Sequence, residues 1–283
     1  MIREPYVAGA FYAASEERLR EQIEWCFRHQ LGPGTIPPIE GAKLLAGPVG
    51  LVLPHAGYRY SGPIAAHGFA WLARQGRPET AVIIGTNHTG LGGRISIETA
   101  GAWELPLGMM EVDAPLAEMI LKRCSLIEAR PEAFAREHSV EVQLPFLQYL
   151  FGNIKFVPLT PLDQRPEAAR ELGQALAEVA KDRPIVLIAS SDFTHYEPQE
   201  LAERKDRAAI ERILKLDIEG FYEVIRQESA SICGYGAIAA VMEAARILSL
   251  GEGESLKYAT SGDLTGERRA VVGYASIAWG REG

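Results

Sequence analysis

Five short runs of this chain are almost entirely apolar: VGLVLP (49–54), AVIIG (81–85), KFVPL (155–159), IVLIAS (185–190) and VVGYASIAW (271–279). A strand with one wet face alternates apolar and polar residues, so unbroken runs of this length predict strands of a sheet covered on both faces. Between them, segments 17–30, 114–124, 167–180, 202–216, 218–227 and 237–250 carry apolar residues at three- and four-residue spacing. That is the period of helices packing one face on such a sheet. The fold class that follows is α/β: a single domain, residues 1–283, with a central mostly parallel or mixed β-sheet flanked by helices. The stretch richest in Gly and Pro, 31–48, precedes the first core strand and separates no two cores, so it reads as a surface connection.

Composition narrows the classes of function. With 283 residues, 47% of them hydrophobic, the chain can bury a large core. The 29 Lys and Arg against 37 Asp and Glu give a net charge of -8, the wrong sign for gripping a phosphate backbone, and no nucleic-acid partner is expected. The amino-terminal segment holds no apolar run of signal-peptide length and no stretch anywhere approaches a membrane span, so the expected location is the cytoplasm, with no membrane partner. Cys26, Cys124 and Cys233 are too few and too scattered for a disulfide framework.

The polar residues fall in a pattern. LVLPHAGY delivers His55, VIIGTNHTG delivers His88, and LIASSDFTH delivers Asp192 and His195, each just past the end of an apolar run. In sheets of largely parallel strands the ligand crevice lies beyond the carboxyl ends, so these groups share one crevice if their strands are neighbours. Cys233, in SICGYGA, stands in a small-residue turn before a strong helical pattern, where backbone N–H groups favour a thiolate. Its plain alternative is a small buried residue. Cys26 and Cys124 lie inside helical patterns and fit that alternative. His29 and His67 sit on helices and read as packing residues.

Taken together, REPYVAGAFYAAS, PHAGYRYSG, IGTNHTG, REHSVEVQLPFLQ, ASSDFTHY, SICGYGA and YATSGDLTGERRAVVGYAS occur in an order that resembles the Memo family, also called AmmeMemoRadiSam system protein B. The resemblance covers nearly the whole chain. It implies a fold similar to the class III extradiol ring-cleavage dioxygenases, with a mononuclear metal site in a crevice. It also implies His55, His88 and Cys233 as the ligands, Fe(II) as the first choice of metal with Cu or Zn as alternatives, and His195 as acid or base with Asp192 near it. Microbial members are named for association with a radical SAM protein, which makes such proteins possible partners. Two imidazoles and a thiolate suit all three metals, and the thiolate stands where the dioxygenases have a carboxylate.

Other residues have two readings each. Asp192 orients His195 or hydrogen-bonds a ligand; alternatively it caps the next segment and His195 bonds a carbonyl. His138 and Glu141, three apart, would share a helix face and lie behind the ligands or against a substrate, unless Glu141 makes a capping or ion-pair contact. Tyr58 is a candidate pocket residue, and Asp263 an Asx-type turn residue. Ser190 and Ser191 lack the flanking glycines of a nucleophile elbow, which excludes a serine hydrolase there. The functional expectation is a metal-dependent oxidoreductase acting on a small O₂-reactive molecule. Its rivals are a non-enzymatic adaptor holding a metal or peptide in the same crevice, and a zinc hydrolase.

Overall fold

The computed structural model describes residues 2–38 and 43–280. In chain order it contains β1 (Ile2–Arg3), α1 (Glu16–Arg28), β2 (Val49–Leu53), α2 (Gly62–Gln75), β3 (Thr80–Ile84), β4 (Ile95–Ile97), β5 (Ala102–Leu105), β6 (Gly108–Glu111), α3 (Ala114–Leu121) and β7 (Ile127–Ala129). There follow α4 (Leu144–Phe151), β8 (Lys155–Pro161), α5 (Pro166–Ala180), β9 (Ile185–Ser190), β10 (His195–Glu197), α6 (Gln199–Leu214), α7 (Ile218–Glu228), α8 (Tyr235–Ile247), β11 (Glu254–Thr260), α9 (Ser261–Thr265) and β12 (Val271–Trp279). All five apolar runs are strands, and β2, β3 and β9 are buried at every residue.

The sheet is mixed. Four parallel strands in the order β2-β9-β3-β8 form its centre, with β4 antiparallel to β8 on one side and β12 antiparallel to β2 on the other. Gly50 and Leu53 of β2 point to opposite faces, as residues of opposite parity must. A Cβ on Gly50 would meet Val241 of α8, whereas Leu53 reaches Gly68 of α2. Thus α8, packed on α5, covers one face and α2 covers the other, which is why the central strands carry no polar alternation. A smaller sheet, β1-β5-β6, ties the amino terminus to the 102–111 hairpin.

Register brings the strand ends level. Leu53 pairs with Ser190, and Ala189 with Ile84, so the segments after β2, β9 and β3 leave the sheet at one height. The expected convergence of three loops beyond the carboxyl ends is therefore present. Of the 31–48 connection, residues 39–42 lie outside the described residues; the remainder carries no helix or strand beyond a single bridge from Leu44 to Arg77. Among the described residues, no helix is long and apolar enough to cross a membrane.

Candidate metal centre

His55, His88 and Cys233 meet at the top of these strands, with one potential ligand atom from each lying within 4.8 Å of the other two. His55 is buried at the bottom of the site, Cys233 is half-buried, and His88 opens to solvent. The cysteine arrives in the turn before α8, from a position 178 residues away from His55, and its Sγ lies 3.3 Å from His55 Nε2. Gly234 makes that approach possible: a Cβ there would stand 2.8 Å from Ser191 Cβ, 2.8 Å from Thr86 Oγ1 and 2.9 Å from the Ser190 carbonyl oxygen. No side chain fits between the α8 turn and the strand ends.

The hydrogen bonds behind the two imidazoles decide which nitrogen faces inward. His88 Nδ1 lies 3.0 Å from a carboxylate oxygen of Glu137, an acceptor only, so Nδ1 carries the proton and Nε2 is left for the site. Glu137 is fully buried and also accepts the backbone N–H groups of His88, His138 and Ser139. Behind His55, Ser190 Oγ donates to the Ser139 carbonyl and accepts from Gln143, which leaves it as an acceptor for His55 Nδ1–H at 3.1 Å. Both rings thus present Nε2 inward.

Charge is concentrated here. Burial alone would raise the Cys233 thiol, but the His55 and His88 imidazoles override it and hold the sulfur well below the usual thiol range. The same pairing works in reverse: burial lowers His55 and His88, yet the Cys233 thiolate, with Asp192 at His55 and Glu137 at His88, lifts them to about 9 and about 10. Glu137 is penalised by burial but drawn down to about 2 by His88. The sequence places Cys233 before a helix; in the structure it is the imidazoles, His55 foremost, that lower the thiol against the effect of burial. Backbone N–H of Asp192 adds a contact to Sγ at 3.3 Å. Two Nε2 atoms and a thiolate, each fixed from behind, are a donor set that fits a divalent first-row metal ion with coordination positions left open.

Several sequence expectations change at this point. Tyr58 does not line the pocket: it is 1% exposed, donates its hydroxyl to the Val142 carbonyl and packs on Tyr12 and Phe146. His138 and Glu141 do not share a helix face, because His138 precedes the helical turns that begin at Glu141. His138 stacks on His88 at 4.6 Å between ring centres and meets His55 edge-on at 5.3 Å. Burial and the nearby His55 charge keep it neutral, down to about 3. Glu141 faces away from the ligands and holds the amino-terminal segment. Asp192 does not orient His195; its Oδ1 accepts the backbone N–H of His55 and fixes the ligand loop. His195 is held by Ser231, whose carbonyl lies 2.8 Å from Nδ1, so its Nε2 is the free nitrogen. It stands close enough to Cys233 and Asp192 to influence the ionisation of both. Asp263 closes a capping box with Thr260, as a turn residue should.

Sequence reasoning misses Glu137, and the only local sign of it is its place beside His138 in REHSVE. Glu137→Gln keeps the shape but turns one acceptor oxygen into a donor facing His88. Metal affinity is expected to fall about 10- to 100-fold, read by competition with a chromogenic chelator; an unchanged affinity would show that Glu137 only braces the loop.

Comparison with known proteins finds relatives along nearly the whole chain. A family model described as Memo-like protein matches residues 3–278. A MEMO1 family protein of Methanopyrus kandleri is 50% identical, over 99% of this chain and 100% of its own length. One from Methanothermobacter thermautotrophicus is 48% identical over 98% and 100%, and one from Sulfurisphaera tokodaii 44% over 99% and 100%. The crystal structure of an uncharacterised protein from Escherichia coli K12 shares the fold, with a TM-score of 0.53 at 15% identity over 82% of this chain and 99% of that one. With a family model matching almost end to end and relatives nearly half identical throughout, the chain belongs to the Memo family.

Proposed function

We propose that this protein is a metal-dependent oxidoreductase that binds one Fe(II) at His55, His88 and Cys233 and acts on a small O₂-reactive molecule. The observation that carries the reading is the convergence of two inward Nε2 atoms and one thiolate, each imidazole backed by an acceptor. When bound, the iron supplies redox chemistry and open coordination positions. The chain's own residues do the rest. Glu137 and Ser190 hold the imidazoles in register, and Asp192 anchors the loop that carries His55. His195 presents a free Nε2 beside the site, suited to taking a proton from a bound hydroxyl. His138, neutral and stacked on His88, forms an uncharged wall.

The sign of the pH dependence follows from the charges. In the metal-free chain His55 and His88 hold their protons up to about 9 and about 10, while the Cys233 thiol is held well below its usual range. A metal ion must displace both protons, so below pH 9 binding is expected to release about two protons per ion and to tighten roughly a hundredfold per pH unit. The dependence levels off once both rings are neutral. Calorimetric titration with Fe(II) and Zn(II) in buffers of different ionisation enthalpy measures this, and a release near zero overturns the site. Oxygen uptake by the Fe(II)-loaded protein with catechols then tests the reaction; tight metal binding with no uptake makes the protein a metal holder or adaptor instead.

A further inference from the structure

An open pocket of about 700 Å³ lies against the candidate metal centre, and its lining combines unlike chemistries. His88 and His138 form its inner end. Phe11 packs on His138 at 4.8 Å between ring centres and continues the aromatic wall outward. Tyr6 and Leu91, 51% and 48% exposed, also line it. Arg136 is the one permanently charged side chain in the lining, and it makes no hydrogen bond or ion pair with any described residue. Its neighbour in sequence, Glu137, is fully occupied by His88 and three backbone N–H groups and offers it no counter-charge.

Most other arginines among the described residues have a carboxylate within reach; for example Arg3, Arg94, Arg130, Arg165 and Arg246 each pair with one. Arg136 stands apart by being both unpaired and part of the lining of the pocket that reaches His88. An arginine in that position is a planar, five-donor fork matched to a carboxylate, and the aromatic side chains beside it, Phe11 tilted 57° to His138, offer ring faces and edges to a planar apolar body. From these two features we infer that the pocket takes a small planar aromatic carboxylate, with its acid group on Arg136, its ring along Phe11 and Tyr6, and its far edge toward His88 and His138. The inference rests on the proposed function for what happens at that far edge, but the binding itself does not need the metal.

The test separates the two. Benzoate, 3,4-dihydroxybenzoate, phenol and catechol are titrated calorimetrically into the metal-free protein and into the protein loaded with Zn(II). The carboxylates are expected to bind at least about tenfold tighter than phenol and catechol, in both forms. Arg136→Gln is expected to erase that preference while leaving phenol and catechol affinities in place, and Arg136→Lys to restore part of it as a point charge without the fork. Equal affinity of benzoate and phenol, or a preference that survives Arg136→Gln, overturns the inference. Metal content, measured in the same samples, reports on the proposed function independently: carboxylate selectivity without bound metal sinks that function alone, and bound metal without carboxylate selectivity sinks this inference alone.

Discussion

Cys233→Ser is expected to reduce the metal content, after anaerobic reconstitution and dialysis against a weak chelator, from about one ion per chain to roughly a tenth or less. Serine has nearly the volume of cysteine but keeps its proton at neutral pH, so the site loses its only anionic ligand and its only soft one. His55→Ala and His88→Ala remove an Nε2 donor each and are expected to have the same effect. Metal analysis of the three variants beside the wild type decides the matter: unchanged content in all three would refute the ligand assignment. The metal-free chain offers a second reading, because the Cys233 thiolate is the leading cause lifting His55 to about 9. In Cys233→Ser the ring keeps Asp192 but loses its main support against burial, so its titration, followed by NMR, is expected to move to lower pH. A ring that still titrated near 9 would show that some other group supplies the charge.

Glu141→Ala is expected to cost about 3–5 kcal/mol of stability, the loss typical of removing one partner of a buried ion pair. The Glu141 side chain has no exposure, and its two oxygens accept from Arg3 Nη1 at 2.7 Å, Tyr6 N–H at 2.9 Å, Val7 N–H at 2.9 Å and Tyr12 OH at 2.7 Å. Alanine removes the shared acceptor of four donors, one of them from the Arg3 side chain, which is 9% exposed and packed over Trp103. For a chain of this size the corresponding fall in Tm is roughly 10 °C. Thermal and urea unfolding measure it, and a loss below about 1 kcal/mol would show that water replaces the carboxylate at no great cost. Because Tyr6, Val7, Ala10 and Phe11 line the pocket, this clamp also sets the position of one pocket wall. Glu141→Gln, which keeps the shape, is expected to retain near wild-type metal content, since Glu141 touches none of the three ligands.

Much of the architecture is legible because it is written in neighbouring residues. A run such as IVLIAS is apolar at every position because both faces of β9 are covered, and segment 167–180 shows a helical stripe because one side of α5 is wet. The elements that escape such reading have physical reasons. Helix α2 is buried from Gly62 to Leu72 except at His67, so it has hardly any polar face to give a period. β1, β4, β7 and β10 are two or three residues long, and β1 exists only because it pairs with Ala102 and Trp103 about a hundred residues away.

The candidate site divides along the same line. That His55, His88 and Asp192 each stand past the end of a buried strand is a local fact, visible without coordinates. Which acceptors back the imidazoles is not. Glu137 is 49 positions from His88, and Ser190 is 135 from His55; local reading takes Ser190 only as a poor nucleophile, whereas its hydroxyl is the acceptor that orients a ring. For Glu141 the turn after His138 removes the shared face that their closeness suggests, and the ion-pair alternative is the one the structure holds, with Arg3.

The sequence by itself determined the α/β class, the strands that form the centre of the sheet, and the polar groups that leave their carboxyl ends, because burial on both faces imposes apolar runs residue by residue. Only the tertiary structure decided that β2, β9 and β3 lie side by side at one height, that Cys233 reaches His55 across a glycine too crowded for any side chain, and that Glu141 faces away from the ligands. Strand order, register and the direction of a buried carboxylate depend on packing between segments far apart in the chain, and no local period records them.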